Sequence, residues 1–256
     1  VVILFVALIL VFPLPVLAVD APLRLLHTRH YEIHTDMEDP LLADLATRLD
    51  AMFDQYTKTF ADFKPPANAP ALPVYLFDKH DRYMAFTDFT AVNTGGIFRS
   101  GRKTYLAAYE QGQGRDALRR TLQHEAFHQF AHSTISRNLP PWMNEGMAQT
   151  FEESIWTGRD FLADQVPPRR VRQLNVDITQ HRLVDFDVFL AMSGKDWATT
   201  RCNISPIFRS TYTRRRSCFL NRMRPPRCRI SCVSPRWILI AISRIFMRMG
   251  TKWITR

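Results

Sequence analysis

Two histidines four residues apart, with a glutamate beside the first, constrain this 256-residue chain more than any other run in it: His124-Glu125-Ala126-Phe127-His128. On an α-helix, 3.6 residues per turn and a rise of 1.5 Å per residue stack positions i and i+4 on one face, about 6 Å apart. Two neutral imidazoles then reach one metal ion, and Glu125 stands where its carboxylate can face a water held by that ion. Such runs also arise by chance, so the surrounding residues must carry the reading.

The surroundings have the required form. Residues 116–132 contain no Pro or Gly, and Leu118, Leu122, Ala126 and Phe130 make an apolar ridge at four-residue steps. Asp116 is expected to cap the start of this helix. At about 100° per residue the two histidines fall on the side away from the ridge, so one face can be buried while the other borders a cleft.

A hydrolytic metal site normally takes three protein ligands and leaves one position to water. Glu145 is the best third ligand. It lies in Pro140-Pro141-Trp142-Met143-Asn144-Glu145-Gly146-Met147-Ala148, where the prolines end a loop and a second helix can begin at Pro141. Met143, Met147 and Phe151 form the apolar side of that helix, and Glu145 and Glu152, seven apart, share another face. The rival ligand is His132, which continues the His124, His128 ladder. Eight helical residues span about 12 Å, too far for His124 and His132 to share one tetrahedral ion. His132 therefore reads as a partly exposed helix histidine, with a role in the cleft as the alternative.

The two motifs together resemble the gluzincin metallopeptidases of the peptidase MA group, whose second motif has the form Trp-Leu-x-Glu-Gly-x-Ala. Within that group the chain most resembles a secreted bacterial domain family of uncharacterised function, often seen in planctomycetes. The metzincin pattern fails, because Ala131 stands at its Gly position and Thr134 at its third His position. The resemblance implies that His124, His128 and Glu145 ligate Zn²⁺ and that Glu125 is the general base, activating the zinc-held water that hydrolyses a peptide bond. Glu152 falls at the acidic position closing the second motif. It either steadies a ligand imidazole or is an ordinary helix-surface glutamate. The alternative function is a gluzincin-like metal-binding domain without turnover, its C-terminal part lost.

The chain's charge divides sharply. Residues 1–200 hold 20 of the 34 basic and all 24 acidic side chains, a net of −4, and the last acid is Asp196. Residues 201–256 carry fourteen Lys and Arg, no acid, and all four cysteines, Cys202, Cys218, Cys228 and Cys232. A segment of that length should hold about six or seven acids. A basic arm for nucleic acid or membrane is one reading, and a cysteine-based zinc or disulfide module a second. The preferred reading is a change of reading frame near Thr200, so the formal charge of +10 says nothing about partners. The run 237–242 is too short to cross a bilayer.

Residues 1–12 are unbroken apolar, followed by Pro13, Pro15 and Val16-Leu17-Ala18, which reads as a signal peptide over 1–18, or else an uncleaved anchor, and predicts export. Residues 19–200 then form one cysteine-free domain, large enough for a proper core without disulfides. Along it we expect a strand at 30–35, a helix at 41–60, a Pro-rich loop at 65–70, a strand at 72–77 and a short helix at 79–86. A hairpin of 94–98 and 103–109 follows, and a packing helix at 183–192. Arg169, Arg170 and Arg172 read as a loop-like run with a solvated basic face, a carboxylate-binding site being the alternative. This order is similar to the zincin fold: α+β, with a mixed sheet packed over the HExxH helix. In that fold an edge strand takes extended substrate by backbone pairing, here expected of the hairpin between Gly95 and Tyr109, the alternative being that the hairpin only covers the helix. A peptide or protein is the expected partner, and no nucleic-acid signature is present. Sequencing the encoding DNA tests the frame change: one intact frame, with the same tail in a close relative, would dispose of it.

Overall fold

A computed structural model describes residues 22–163, 166–180 and 186–196. The expected signal peptide at 1–18 and the acid-free tail at 201–256 lie outside the described residues. The described chain is an α+β arrangement built on one mixed sheet. It runs β1 (Arg24–His27), β2 (Tyr31–Thr35), α1 (Asp39–Thr59), β3 (Leu72–Phe77), α2 (His80–Phe86), β4 (Gly96–Arg99), β5 (Tyr105–Tyr109) and α3 (Arg115–Phe130). A π-helical turn, Ala131–Ile135, leads to α4 (Pro141–Glu152), a two-stranded hairpin of β6 (Ile155–Trp156) and β7 (Phe161–Leu162), α5 (Pro168–Thr179) and α6 (Phe186–Ala191).

The sheet order is β1-β2-β3-β5-β4. β2, β3 and β5 run parallel, and β1 and β4 are antiparallel to their neighbours at the two edges. Period-two alternation decides what each face buries. Tyr31 and Ile33, Val74 and Leu76, and Leu106 and Ala108 enter the main core with α1, α3 and α4, whereas Phe77 and Ala107 pack on the other face with Tyr83 and Met84 of α2. α1 contributes Leu42, Leu45, Leu49, Met52, Phe53 and Tyr56 at helical spacing.

α3 is the central element, because its apolar ridge of Leu118, Leu122, Ala126 and Phe130 is almost wholly buried. Phe127 stacks on Phe151 of α4 at 5.3 Å, and Tyr56 of α1 meets both rings edge-on, at 5.6 and 4.7 Å. The Tyr56 hydroxyl donates to the Gln123 carbonyl at 2.6 Å. Burial pushes the phenol's pKa well above its usual value, so it remains a donor. No helix among the described residues is long and apolar enough to cross a membrane.

Several expectations need correction. Asp116 does not cap α3: the helix starts at Arg115 after Gly114, whose φ of 80° suits glycine, and the Asp116 carboxylate pairs with Arg119 at 2.8 Å. The α-helix ends at Phe130 rather than His132, the last turn widening to π geometry. Arg169, Arg170 and Arg172 are helical, since Pro168 is pre-set for the first turn of α5. Arg169 and Arg170 both pair with Glu153, so that run is not merely solvated. β1 was not expected, because Arg-Leu-Leu-His lacks alternation on a mostly exposed edge. The expected helix at 183–192 is represented by α6, its first residues being outside the described set.

Removing the Phe127 ring should leave a cavity at this junction. Phe127→Ala is expected to cost about 3–5 kcal/mol, against about 1 kcal/mol for Tyr56→Phe, measured by urea unfolding monitored by circular dichroism.

Candidate metal centre

The site forms where α4 crosses α3. Pro141 fits the first turn of α4, where a backbone N–H has no helical partner to lose. Met143, Met147 and Phe151 turn into the core. Two helical turns separate Glu145 from Glu152, so both carboxylates reach the face of α3 that carries His124 and His128.

One ligand atom from each of His124, His128 and Glu145 lies within 4.8 Å of the others, making a group that can hold a metal ion. His124 Nε2 is 3.4 Å from Glu145 Oε2, and His128 Nε2 is 3.6 Å from Glu145 Oε1. A charged hydrogen bond would draw such atoms to about 2.7–2.9 Å. Ligands bonded at about 2.0–2.2 Å to a tetrahedral ion stand about 3.3–3.5 Å apart, and the two separations, each to a different Glu145 oxygen, are of that order.

Glu152 holds the far side of His124, its Oε2 lying 3.2 Å from Nδ1. This arrangement leaves Nε2 to face Glu145 and fixes the ring's orientation, as a carboxylate behind a metal-binding histidine does. Of the two roles open to Glu152 on sequence grounds, this contact supports the one beside His124. Burial pushes its carboxyl pKa up, but the His124 hydrogen bond, that ring's charge and the nearby Arg170 and Arg169 guanidinium groups more than reverse this, leaving it below the usual value. Burial also opposes charge on His124, yet Glu145, Glu152 and the field of Glu125 outweigh it and raise its pKa to about 10. Carboxylates that favour a proton on this ring favour a cation beside it. The second histidine differs, since His128 Nδ1 is buried without a hydrogen-bond partner among the described residues.

Glu125 points elsewhere. Its Oε2 accepts the Phe98 backbone N–H at 2.7 Å, so the carboxylate is bonded to the edge strand β4. Two glycines let β4 come this close. A Cβ on Gly96 would sit 2.7 Å from Thr121 Cγ2 and 3.0 Å from the Ala107 carbonyl, and one on Gly95 would meet Gln113 Oε1 at 2.2 Å. The Gln113 amide bridges the Gly95 and Tyr109 carbonyls across the hairpin, at 2.8 and 2.6 Å. His132 stays outside the ligand group and packs instead near the Phe98 ring, 5.5 Å between centroids. Burial, with Arg137, lowers its pKa.

Two contributors were not legible beforehand. The Phe98 N–H is a backbone group with no sequence signature. Gln123, 7% exposed, looks like any polar helix residue, yet its amide reaches the carbonyls that end α4. No family model matches the chain, and no curated protein matches it.

The geometry sets an order of effects on metal affinity. With Zn²⁺ as the probe ion, uptake by this group predicts that Glu145→Ala abolishes stoichiometric binding, whereas Glu152→Gln, which leaves His124, His128 and Glu145 in place, weakens it about 10- to 100-fold. Titration against a chromogenic chelator distinguishes the two, and equal losses would contradict the assignment of Glu145.

Proposed function

We propose that this chain is a zinc-dependent peptidase of the gluzincin type, with a zincin-like fold. The observation that carries the reading is the separation of roles around α3. His124, His128 and Glu145 converge on one point, while Glu125, next in sequence to a ligand, is held apart from that group by Phe98. Two imidazoles and one carboxylate form a donor set that zinc takes in hydrolytic sites.

When bound there, Zn²⁺ supplies Lewis acidity, polarising a carbonyl oxygen and making a water easier to deprotonate. Glu125 takes the proton of that water. Its Oε2 is held by the Phe98 N–H, which keeps the carboxylate oriented, and its other oxygen accepts the proton and later passes it to the leaving amine as the C–N bond breaks. Glu152 keeps His124 in the tautomer that offers Nε2 as ligand.

β4 supports a peptide substrate in particular. It is an edge strand, paired on one side with β5. In an antiparallel strand the N–H and C=O of one residue point the same way, so Phe98, whose N–H leaves the sheet toward Glu125, turns its carbonyl outward too. An extended peptide lying along this edge gains backbone hydrogen bonds and brings a scissile carbonyl past the base. The apolar N-terminal run supports, in the same proposal, an activity outside the cytoplasm.

Glu125→Gln is the deciding variant. Cleavage of a quenched fluorescent peptide mixture is expected to fall by about 10²–10⁴-fold, with one Zn²⁺ per chain still bound by atomic absorption. Full turnover in the variant would overturn the mechanism. A wild-type chain that binds Zn²⁺ and cleaves no peptide would instead be a metal-binding domain without turnover.

A further inference from the structure

We infer that Gln123 is a positioning residue of the metal centre, locking the register of α3 against α4 and so setting Glu145 and Glu152 opposite His124 and His128. The inference rests on the reading that this site binds a metal ion. Gln123 immediately precedes the first ligand and is held from two sides. Its side-chain Nε2 lies 2.9 Å from the Phe151 carbonyl and 3.1 Å from that of Ser154, with the Glu152 carbonyl at 3.4 Å. Its own carbonyl accepts the Tyr56 hydroxyl from α1.

These bonds do something that the neighbouring ring contacts cannot. Phe127 on Phe151 and the surrounding apolar side chains favour burial of area, which changes little if one helix slides slightly along the other. Hydrogen bonds are directional and weaken steeply with misalignment. The Phe151 carbonyl already accepts the Ser154 N–H at 3.0 Å, so the Gln123 amide adds a second bond there and ties α3 to both the last turn of α4 and the Ser154 carbonyl just beyond it. The result is a paired grip: residues 123 and 124 of α3 hold residues 151 and 152 of α4, the first by amide to carbonyl, the second by His124 Nδ1 to the Glu152 carboxylate. From that grip, two turns back along α4, Glu145 comes within 3.4 and 3.6 Å of the two imidazoles. A slide of half an ångström at the grip would be felt in full at the ligands, because a helix transmits axial displacement rigidly.

The test uses Co²⁺ as the probe ion and the full chain. Gln123→Leu keeps the side-chain volume and removes both donors, and Gln123→Glu keeps the shape while setting a carboxylate against carbonyls. Leu76→Ala, in the sheet core away from the ligands, serves as the control for lost stability. We expect both Gln123 variants to bind Co²⁺ about tenfold or more weakly and to show an altered visible absorption band, while Leu76→Ala, despite a lowered unfolding midpoint, keeps the wild-type affinity and band. Should the Gln123 variants fail to fold, Tyr56→Phe releases the other anchor without emptying a site, and a weakened affinity with an altered band is again expected. Wild-type affinity and spectrum in the folded variants, or a loss no greater than in Leu76→Ala, would overturn the inference while leaving the metal site intact. A wild-type chain that takes up no Co²⁺ or Zn²⁺ would remove the metal reading itself.

Discussion

The contact between α3 and α4 is the constraint on which the site depends, because one helix pair has to be greasy and charged at once. Its buried side stacks Phe127 on Phe151, with Tyr56 set edge-on against both. Its other side brings two carboxylates, Glu145 and Glu152, against two imidazoles, His124 and His128. Helical periodicity reconciles the two. Adjacent positions lie about 100° apart, so Phe127 and His128, or Phe151 and Glu152, can serve opposite environments from consecutive residues. The apolar side supplies the stability that lets the polar side hold an arrangement it would not adopt alone.

Grouping Glu125, Glu145 and Glu152 is unfavourable without a positive charge among them, since like charges at short range in a site of reduced dielectric repel. The chain distributes that burden. His124 carries a proton readily between Glu145 and Glu152, the Phe98 N–H is spent on Glu125, and Arg169 and Arg170 lower the Glu152 pKa from the start of α5. The arginines are in turn anchored on Glu153, the residue after Glu152, so the field of α5 is fixed to the end of α4 rather than left on mobile side chains. α5 thus acts on the site without touching a ligand.

What could be read from the sequence follows from where the information resides. α1, α3 and α4 were legible because their apolar residues recur at three- and four-residue steps, and β3 because it is a short apolar run between Pro-rich loop and helix. That His124, His128 and Glu145 could come together was legible because the four-residue spacing puts both histidines on one face of α3, and the apolar side of α4 leaves Glu145 on another face. β1 and the β6–β7 hairpin were not, being too short or too exposed to leave a periodic pattern. The start of α3 misled because Asp116 has the chemistry of a cap, while Gly114 supplies the turn that sets where the helix begins. Gln123 and the Phe98 N–H act through main-chain carbonyls and a main-chain donor, and such partners are created only by tertiary structure.

The same reasoning separates β4 from an ordinary sheet edge. An exposed strand edge invites pairing with any extended chain, and proteins usually blunt it. Here the edge strand is drawn down onto α3, where Gly95 and Gly96 leave no side chain to hold it off and Gln113 ties its carbonyl to that of β5. One outward N–H, that of Phe98, is already committed to Glu125. In the proposed peptidase, strand and base are then mechanically joined. A peptide that pairs with β4 cannot shift Phe98 without shifting the carboxylate that must meet its scissile bond, so substrate docking and alignment of the base become one event.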